Sequence, residues 1–417
     1  MNIKKSLRMK SNKLWVILIP IFIILLTNIF NFIGWETLPI MKNIRYAILF
    51  LLPIVSLFVY NKTKCKSVMY NRKMVLYYIA VCLFTFFLQV VLFGANYGKS
   101  LETNLFVAFV FCCYILFHYT KMSEDILLKG ITCVGLIVFL IQVFQQLNPQ
   151  MAIFGVFTEE MKEETGVGDN FIASMRNGLY RFKLITAQLP LLLFCCYFSK
   201  MLSKFKYTYI LLVCIFAASL YLMLTRMFMI CMVICAIYIY LSQRKQIKSK
   251  FAIAILVIIA CAGLVTYSDA LFANLFDSKE SDIEYSGSAR INCLPFIWLQ
   301  AASNPILFFI GHGYDQALWK WGFGLGYWWN DLGVLGQVYT YGIIWVLIYF
   351  KITYNLLVKL KKIIPIYIRG YVFGCLCICY MMPSYASNLT QTLLWCVVLY
   401  ISDLYISNSR KIINNAV

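Results

Sequence analysis

Four arginines stand apart from the other basic residues of this chain. Arg176 and Arg181 lie in Met175-Arg176-Asn177-Gly178-Leu179-Tyr180-Arg181. Arg226 lies in Leu224-Thr225-Arg226-Met227, and Arg290 in Ser286-Gly287-Ser288-Ala289-Arg290. A guanidinium is planar, stays charged when partly dehydrated, and grips phosphate through paired hydrogen bonds. As a group the four suit a phosphate-bearing substrate. Taken singly, Arg176, Arg181 and Arg290 are read equally well as loop-ordering partners of nearby acids. Arg226 interrupts apolar sequence on both sides, where a charge is costly and tends to serve a function. Its alternative is to snorkel to lipid headgroups.

Two further residues qualify as proton acceptors. His312 sits in Ile310-Gly311-His312-Gly313-Tyr314-Asp315, and its flanking glycines free the backbone for close approach by a ligand. Asp331 opens an apolar run in Trp328-Trp329-Asn330-Asp331-Leu332-Gly333, where it is either a general base or a helix cap. His118, the other histidine, ends an apolar run and reads as structural. With two histidines at opposite ends of the spans, a histidine-rich zinc site is excluded. Glu159, Glu160, Glu163 and Glu164 read as a solvated acidic face. No P-loop, dinucleotide fingerprint or nucleophile elbow occurs, so neither a metal nor a cofactor is expected.

The elements that must position these residues are membrane spans. The 417 residues are 62% hydrophobic with a mean hydropathy of +0.77, more than one soluble core can hide. Apolar runs repeatedly reach the length of about 20 residues that a helix needs to cross a bilayer. Alternating barrel strands are absent, which leaves helices as the way to satisfy the backbone in lipid. Spans are predicted at 14–34, 44–60, 74–95, 104–119, 126–148, 183–199, 207–224, 227–241, 251–268, 331–350, 366–382 and 388–407. The expected fold class is therefore all-α, a polytopic integral membrane protein of about 12 transmembrane helices forming one domain over 1–417. The sixteen cysteines fall mostly inside these runs and act as small hydrophobes, with no disulfide framework implied.

The net charge of +20 reflects topology and not a nucleic-acid partner. With the N-terminus inside, inner segments hold 26 of the 37 Lys and Arg. The positive-inside rule then places both termini in the cytoplasm. Two long external loops follow, 149–182 and 269–330, and loops of that length are usually functional or disordered. The second is rich in Trp, Gly and Tyr, a poor composition for disorder. An amphipathic helix is predicted within it, from Arg290 to Trp298. Lys42, Lys99, Lys162 and Lys279 read as peripheral charges. No internal repeat of the kind that marks many transporters is found.

A pattern runs through 286–345. It consists of Ser-x-Ser-Ala-Arg290, a Trp-bearing helix, Asn304-Pro305, Gly311-His312-Gly313, and a span opening Asn330-Asp331-Leu332-Gly333 with Gly342 beyond. It resembles the O-antigen polymerase (Wzy) and O-antigen ligase superfamily. The resemblance implies a GT-C-like membrane glycosyltransferase of the bacterial cytoplasmic (inner) membrane, with its active site on the external, periplasmic side. The substrate it implies is an undecaprenyl-diphosphate-linked oligosaccharide, polymerised without metal into O-antigen, capsule or exopolysaccharide. Arg290 takes the place of the arginine at the head of the large loop. The ligase branch often carries a His-Asn pair where this chain has Trp329-Asn330, a departure that weighs against ligase. Tyr314, Trp319, Trp321, Tyr327, Trp328 and Trp329 would stack on sugars or anchor at the interface. Expected partners are membrane lipid and a chain-length regulator and flippase of the same pathway. The competing readings are ligase or another lipid-linked glycosyltransferase, a flippase for the same lipid-linked sugar, and a purely structural membrane protein.

Overall fold

The structure is a computed structural model. It describes residues 18–27, 39–66, 69–92, 94, 101–148, 174–176, 179–181, 187–223, 226–244, 293–299, 301–312, 332–379 and 388–415. The spans predicted at 44–60, 74–95, 104–119, 126–148, 183–199, 207–224, 227–241, 366–382 and 388–407 all meet described helices. The predicted span 251–268 lies outside the described residues. Asn43–Asn61, Arg72–Val91, Glu124–Leu147 and Leu389–Ser409 are each long and apolar enough to cross a membrane. The remaining apolar helices are shorter. This is the build of a helical membrane protein. Asn43–Asn61 leaves Leu57 and Phe58 more than 70% exposed, whereas Leu389–Ser409 is almost wholly enclosed by protein.

The chain divides into two compact units, each discontinuous in sequence. The first comprises Met1–Leu51 and Thr120–Asn274. It holds α1 (Leu18–Thr27), the start of α2 (Pro39–Lys66), α5 (Glu124–Leu147), α6 (Gln188–Ser203), α7 (Tyr207–Leu222) and α8 (Arg226–Gln243). A hairpin of β1 (Ser174–Arg176) and β2 (Leu179–Arg181) adds the one departure from an all-helical build among the described residues. Ser123 caps α5, accepting from the Ile126 amide at 3.4 Å, and Glu124 and Asp125 sit in the first turn, where the helix dipole favours acids.

In this unit α6 is the hub, with every residue from Gln188 to Tyr197 buried. Lipid supplies no hydrophobic drive between helices, so close backbone approach and interhelical hydrogen bonds must hold them. Both are present. A Cβ on Gly130 would lie 2.8 Å from Ile19, and one on Gly135 would press into Leu193 and Phe216. Thr132 and Tyr197 join hydroxyls at 2.8 Å. The Gln142 amide donates to the Ser219 carbonyl at 3.1 Å and accepts from its hydroxyl at 2.6 Å. Gln243 donates to the Ser199 hydroxyl at 2.8 Å.

The second unit comprises Leu52–Tyr119 and Leu275–Val417. It begins beside Pro53, whose ring leaves a backbone hydrogen bond of α2 unmade. Its first full helix is α3 (Arg72–Phe87), which runs on as a π-helical turn, Leu88–Leu92. A second π turn, Leu101–Leu105, leads into α4 (Phe106–Thr120). Then come α9 (293–299), α10 (Pro305–Ile310), α11 (Val334–Tyr341), α12 (Ile343–Tyr354), α13 (Ile366–Ile378) and α14 (Leu389–Asn415). An aromatic core ties them together. Tyr78 of α3 stacks on Phe111 at 4.8 Å and meets the edge of Trp345, which itself stacks on Tyr341 at 4.5 Å. Tyr349 meets Trp395 of α14 edge-on.

One expectation is corrected here, and one is met over the residues described. The tenth predicted span, 331–350, is not one helix: it breaks at Gly342 into α11 and α12. Past Tyr354 the chain continues as a π turn to Lys359. The amphipathic helix expected from Arg290 to Trp298 is described over 293–299. Its inner face, Cys293 with Phe296 and Ile297, packs on Leu332 and Tyr339, while Leu294, Trp298 and Leu299 are exposed.

Candidate functional site

The break in α11–α12 is built by a pair of glycines. Gly342 has φ +86° and ψ 161°, and Gly311, at the end of α10, has φ +79° and ψ 156°. That region of backbone space is essentially reserved for glycine. The two also make room for each other. A Cβ on Gly342 would collide with the Phe309 carbonyl and the Gly311 amide, and one on Gly311 with the Thr340 carbonyl and the Gly342 amide. The Gly311-His312 segment thus lies against the broken helix, backbone to backbone, and the His312 amide donates to the Tyr339 carbonyl at 2.8 Å.

A broken helix leaves carbonyl groups that the next turn does not claim, and in a membrane protein these must find donors within the protein. Gln89, on the π turn after α3, supplies one. Its side-chain nitrogen donates to the Ile310 carbonyl at 2.9 Å and to the Thr340 carbonyl at 3.0 Å. Asn104, on the π turn before α4, donates to the Gln89 side-chain oxygen at 2.7 Å. Gln89 and Asn104 are both fully buried.

His312 sits at this junction, 7% exposed, with its ring stacked on Tyr339 at 4.3 Å and 12°. Phe296 of α9 lies against Tyr339 in turn, at 5.9 Å. An imidazole so enclosed has a fixed orientation and limited access to water.

The other sequence candidates are distributed as follows. Arg176 and Arg181 share the hairpin, where Arg176 pairs with Leu179 and Arg181 with Ser174. Arg226 is the first residue of α8. These three belong to the first unit and His312 to the second. Arg290, Tyr314, Trp329 and Asp331 lie outside the described residues.

A second polar cluster lies in the same unit as His312. Asp403 of α14 has no exposed surface. Its carboxylate accepts from the Tyr114 hydroxyl, from the Asn71 side-chain amide at 2.8 Å and from the Asn71 backbone at 3.3 Å. His118 Nε2 lies 3.2 Å away. The His118 ring meets Tyr114 and Tyr400 edge-on. Every acceptor direction of the carboxylate is used by the chain itself, so this cluster reads as a structural knot, in line with the expectation for His118.

Sequence reasoning missed Gln89, Asn104, Tyr339 and Asp403 as members of buried clusters. A signal existed for two of them. Gln89 is a lone amide in Leu88-Gln89-Val90-Val91-Leu92, and Asp403 a lone acid in Tyr400-Ile401-Ser402-Asp403-Leu404. In comparisons with known proteins, no family model matches this chain and no curated protein matches it.

Proposed function

We propose that this protein is a membrane glycosyltransferase that polymerises undecaprenyl-diphosphate-linked repeat units into a polysaccharide. The observation that carries the reading is the meeting of two separated sequence features. Gly311-His312 and Gly342 interlock at one broken helix, with the imidazole enclosed against Tyr339. In this reading about a dozen helices span the bacterial cytoplasmic membrane, both termini are cytoplasmic, and the site faces outward. A sugar hydroxyl on one lipid-linked repeat attacks the anomeric carbon of the glycan on another. The bond to the lipid diphosphate breaks, and the diphosphate leaves with its negative charge. His312 or Asp331 takes the hydroxyl proton. Arg176, Arg181, Arg226 and Arg290 bind the diphosphate, and fixed cations at a low-dielectric boundary stabilise the leaving charge. Tyr314 and Trp329 contact the sugars.

One observation favours a second reading. Discontinuous helices are also how many transporters build their substrate sites, so the break at Gly342 suits a flippase for the same lipid-linked sugar. Deleting the gene separates the two. Loss of the polymerase should leave single repeat units on the acceptor and no ladder of longer chains. Loss of the single repeat as well would replace the proposal with flippase or ligase.

A further inference from the structure

Glycine is the least self-determined of residues, so two glycine junctions cannot by themselves hold one backbone conformation. Something else must fix the path of Gly311-His312 beside the Gly342 break. Among the described residues one backbone hydrogen bond joins the two, from the His312 amide to the Tyr339 carbonyl. A further tie is Gln89. One nitrogen bridges the last carbonyl of α10 and a carbonyl in the last turn of α11, so it clamps both broken ends at once.

The polarity of this clamp is determined. Carbonyl oxygens only accept, so the Gln89 side chain must turn its NH2 toward Ile310 and Thr340. Its own oxygen then faces Asn104, which must donate, and does so at 2.7 Å. Asn104 therefore sets which way Gln89 points. Both side chains leave the chain on π-helical turns, Leu88–Leu92 and Leu101–Leu105. Such turns shift side chains out of α-helical register and recur at functional sites.

We propose that Gln89, oriented by Asn104, is the positioning residue for His312. Its amide locks the two glycine junctions together and so fixes where the imidazole stands. The catalytic consequence rests on the polymerase reading; the structural one does not.

The chain has two histidines, His118 and His312, which makes a direct test practical. Full-length protein carrying 15N-labelled imidazoles gives two sets of ring signals, assigned with His118→Gln and His312→Gln. Gln89→Met keeps length and volume but removes the donor. It should shift or broaden the His312 signals and leave those of His118 in place. Asn104→Leu, which keeps the size and removes the donor to Gln89, should do the same, whereas Asn104→Ser, which keeps a donor, should move them less. Gln142→Met in α5 is the control and should move neither histidine. In membranes, Gln89→Met should lower the polymerisation rate at saturating donor by about 10²-fold, the loss of one positioned acid–base group, while KM for the lipid-linked donor is largely kept. Unmoved His312 signals in Gln89→Met and Asn104→Leu overturn the proposal. So does equal movement of both histidines, which marks a general loss of structure. If Gln89→Met does not fold, Asn104→Leu against Asn104→Ser decides alone. If His312 moves as expected but the parent protein makes no polymer, the positioning role stands and the polymerase reading falls.

Discussion

Asp403 is a carboxylate with no contact with water in a helix that is itself enclosed. Its stability depends entirely on Tyr114, Asn71 and His118. Removing the shared acceptor of a buried network leaves its donors unsatisfied, at a cost of about 1–3 kcal/mol for each. Asp403→Ala should therefore lower the thermal unfolding temperature in detergent sharply, and Asp403→Asn less so, because an amide oxygen still accepts. Lys129→Ala is the comparison. Lys129 pairs with Asp125 one turn away at 2.7 Å, but both side chains are more than 60% exposed. Exposed pairs of this kind contribute about 0.3–0.5 kcal/mol, so its melting curve should hardly move. The arginines belong to this scale too. Arg226→Lys keeps the charge and loses the planar fork. If Arg226 binds diphosphate, polymer output should fall while the protein still inserts at normal level. Normal output from Arg226→Ala at equal expression would remove Arg226 from the site.

Between elements, the glycine pair is the most exacting feature. Gly342→Ala would place a side chain in a glycine-only conformation, worth about 1–3 kcal/mol, and drive it into the Phe309 carbonyl. Both Gly342→Ala and Gly311→Ala should abolish polymer formation and lower the melting temperature. Gly94→Ala, with positive φ but no atom near its Cβ, should show only a small loss. The first unit has a milder version of the same logic. Interhelical hydrogen bonds in membranes are worth about 0.6–2 kcal/mol. A double-mutant cycle of Gln142→Leu and Ser219→Ala should return a coupling in that range, and a value near zero would show that packing alone joins α5 to α7. The break at Gly342 could not be foreseen from sequence. The chain has 21 glycines, and nothing local marks which of them carries a positive φ within an apolar run. Gln89 stood out as an amide in apolar sequence, but its partners are backbone carbonyls 221 and 251 residues away, and all backbone carbonyls look alike in a sequence. Asp403 was hidden for a related reason: Asn71, its partner, is 332 positions distant. What could be read was whatever depends on composition over a window, which is why the apolar helices were located closely while their junctions were not.

At the level of the whole molecule, the basic-residue asymmetry makes a claim about orientation. Reporter fusions after residues 165 and 285 should both report export, and a cytoplasmic signal from either would invert the proposed topology. The second unit adds a length. Asn71 stands at one end of α3, tied to Asp403, and Gln89 at the other, tied to Ile310 and Thr340. Eighteen residues at about 1.5 Å each put these two knots about 27 Å apart, close to the roughly 30 Å of a bilayer's hydrocarbon layer. Most helices meet a bilayer of the wrong thickness by tilting, at a modest cost. A helix anchored to different partners at both ends has little freedom to tilt alone. Mismatch then has to be absorbed at the anchors, one of which is the clamp beside His312. On the polymerase reading, activity should accordingly peak at one lipid chain length when the protein is reconstituted in a graded series of bilayers, and Gln89→Met, having released that anchor, should flatten the peak. A flat activity profile across the series for both proteins would show that α3 tilts freely despite its two anchors.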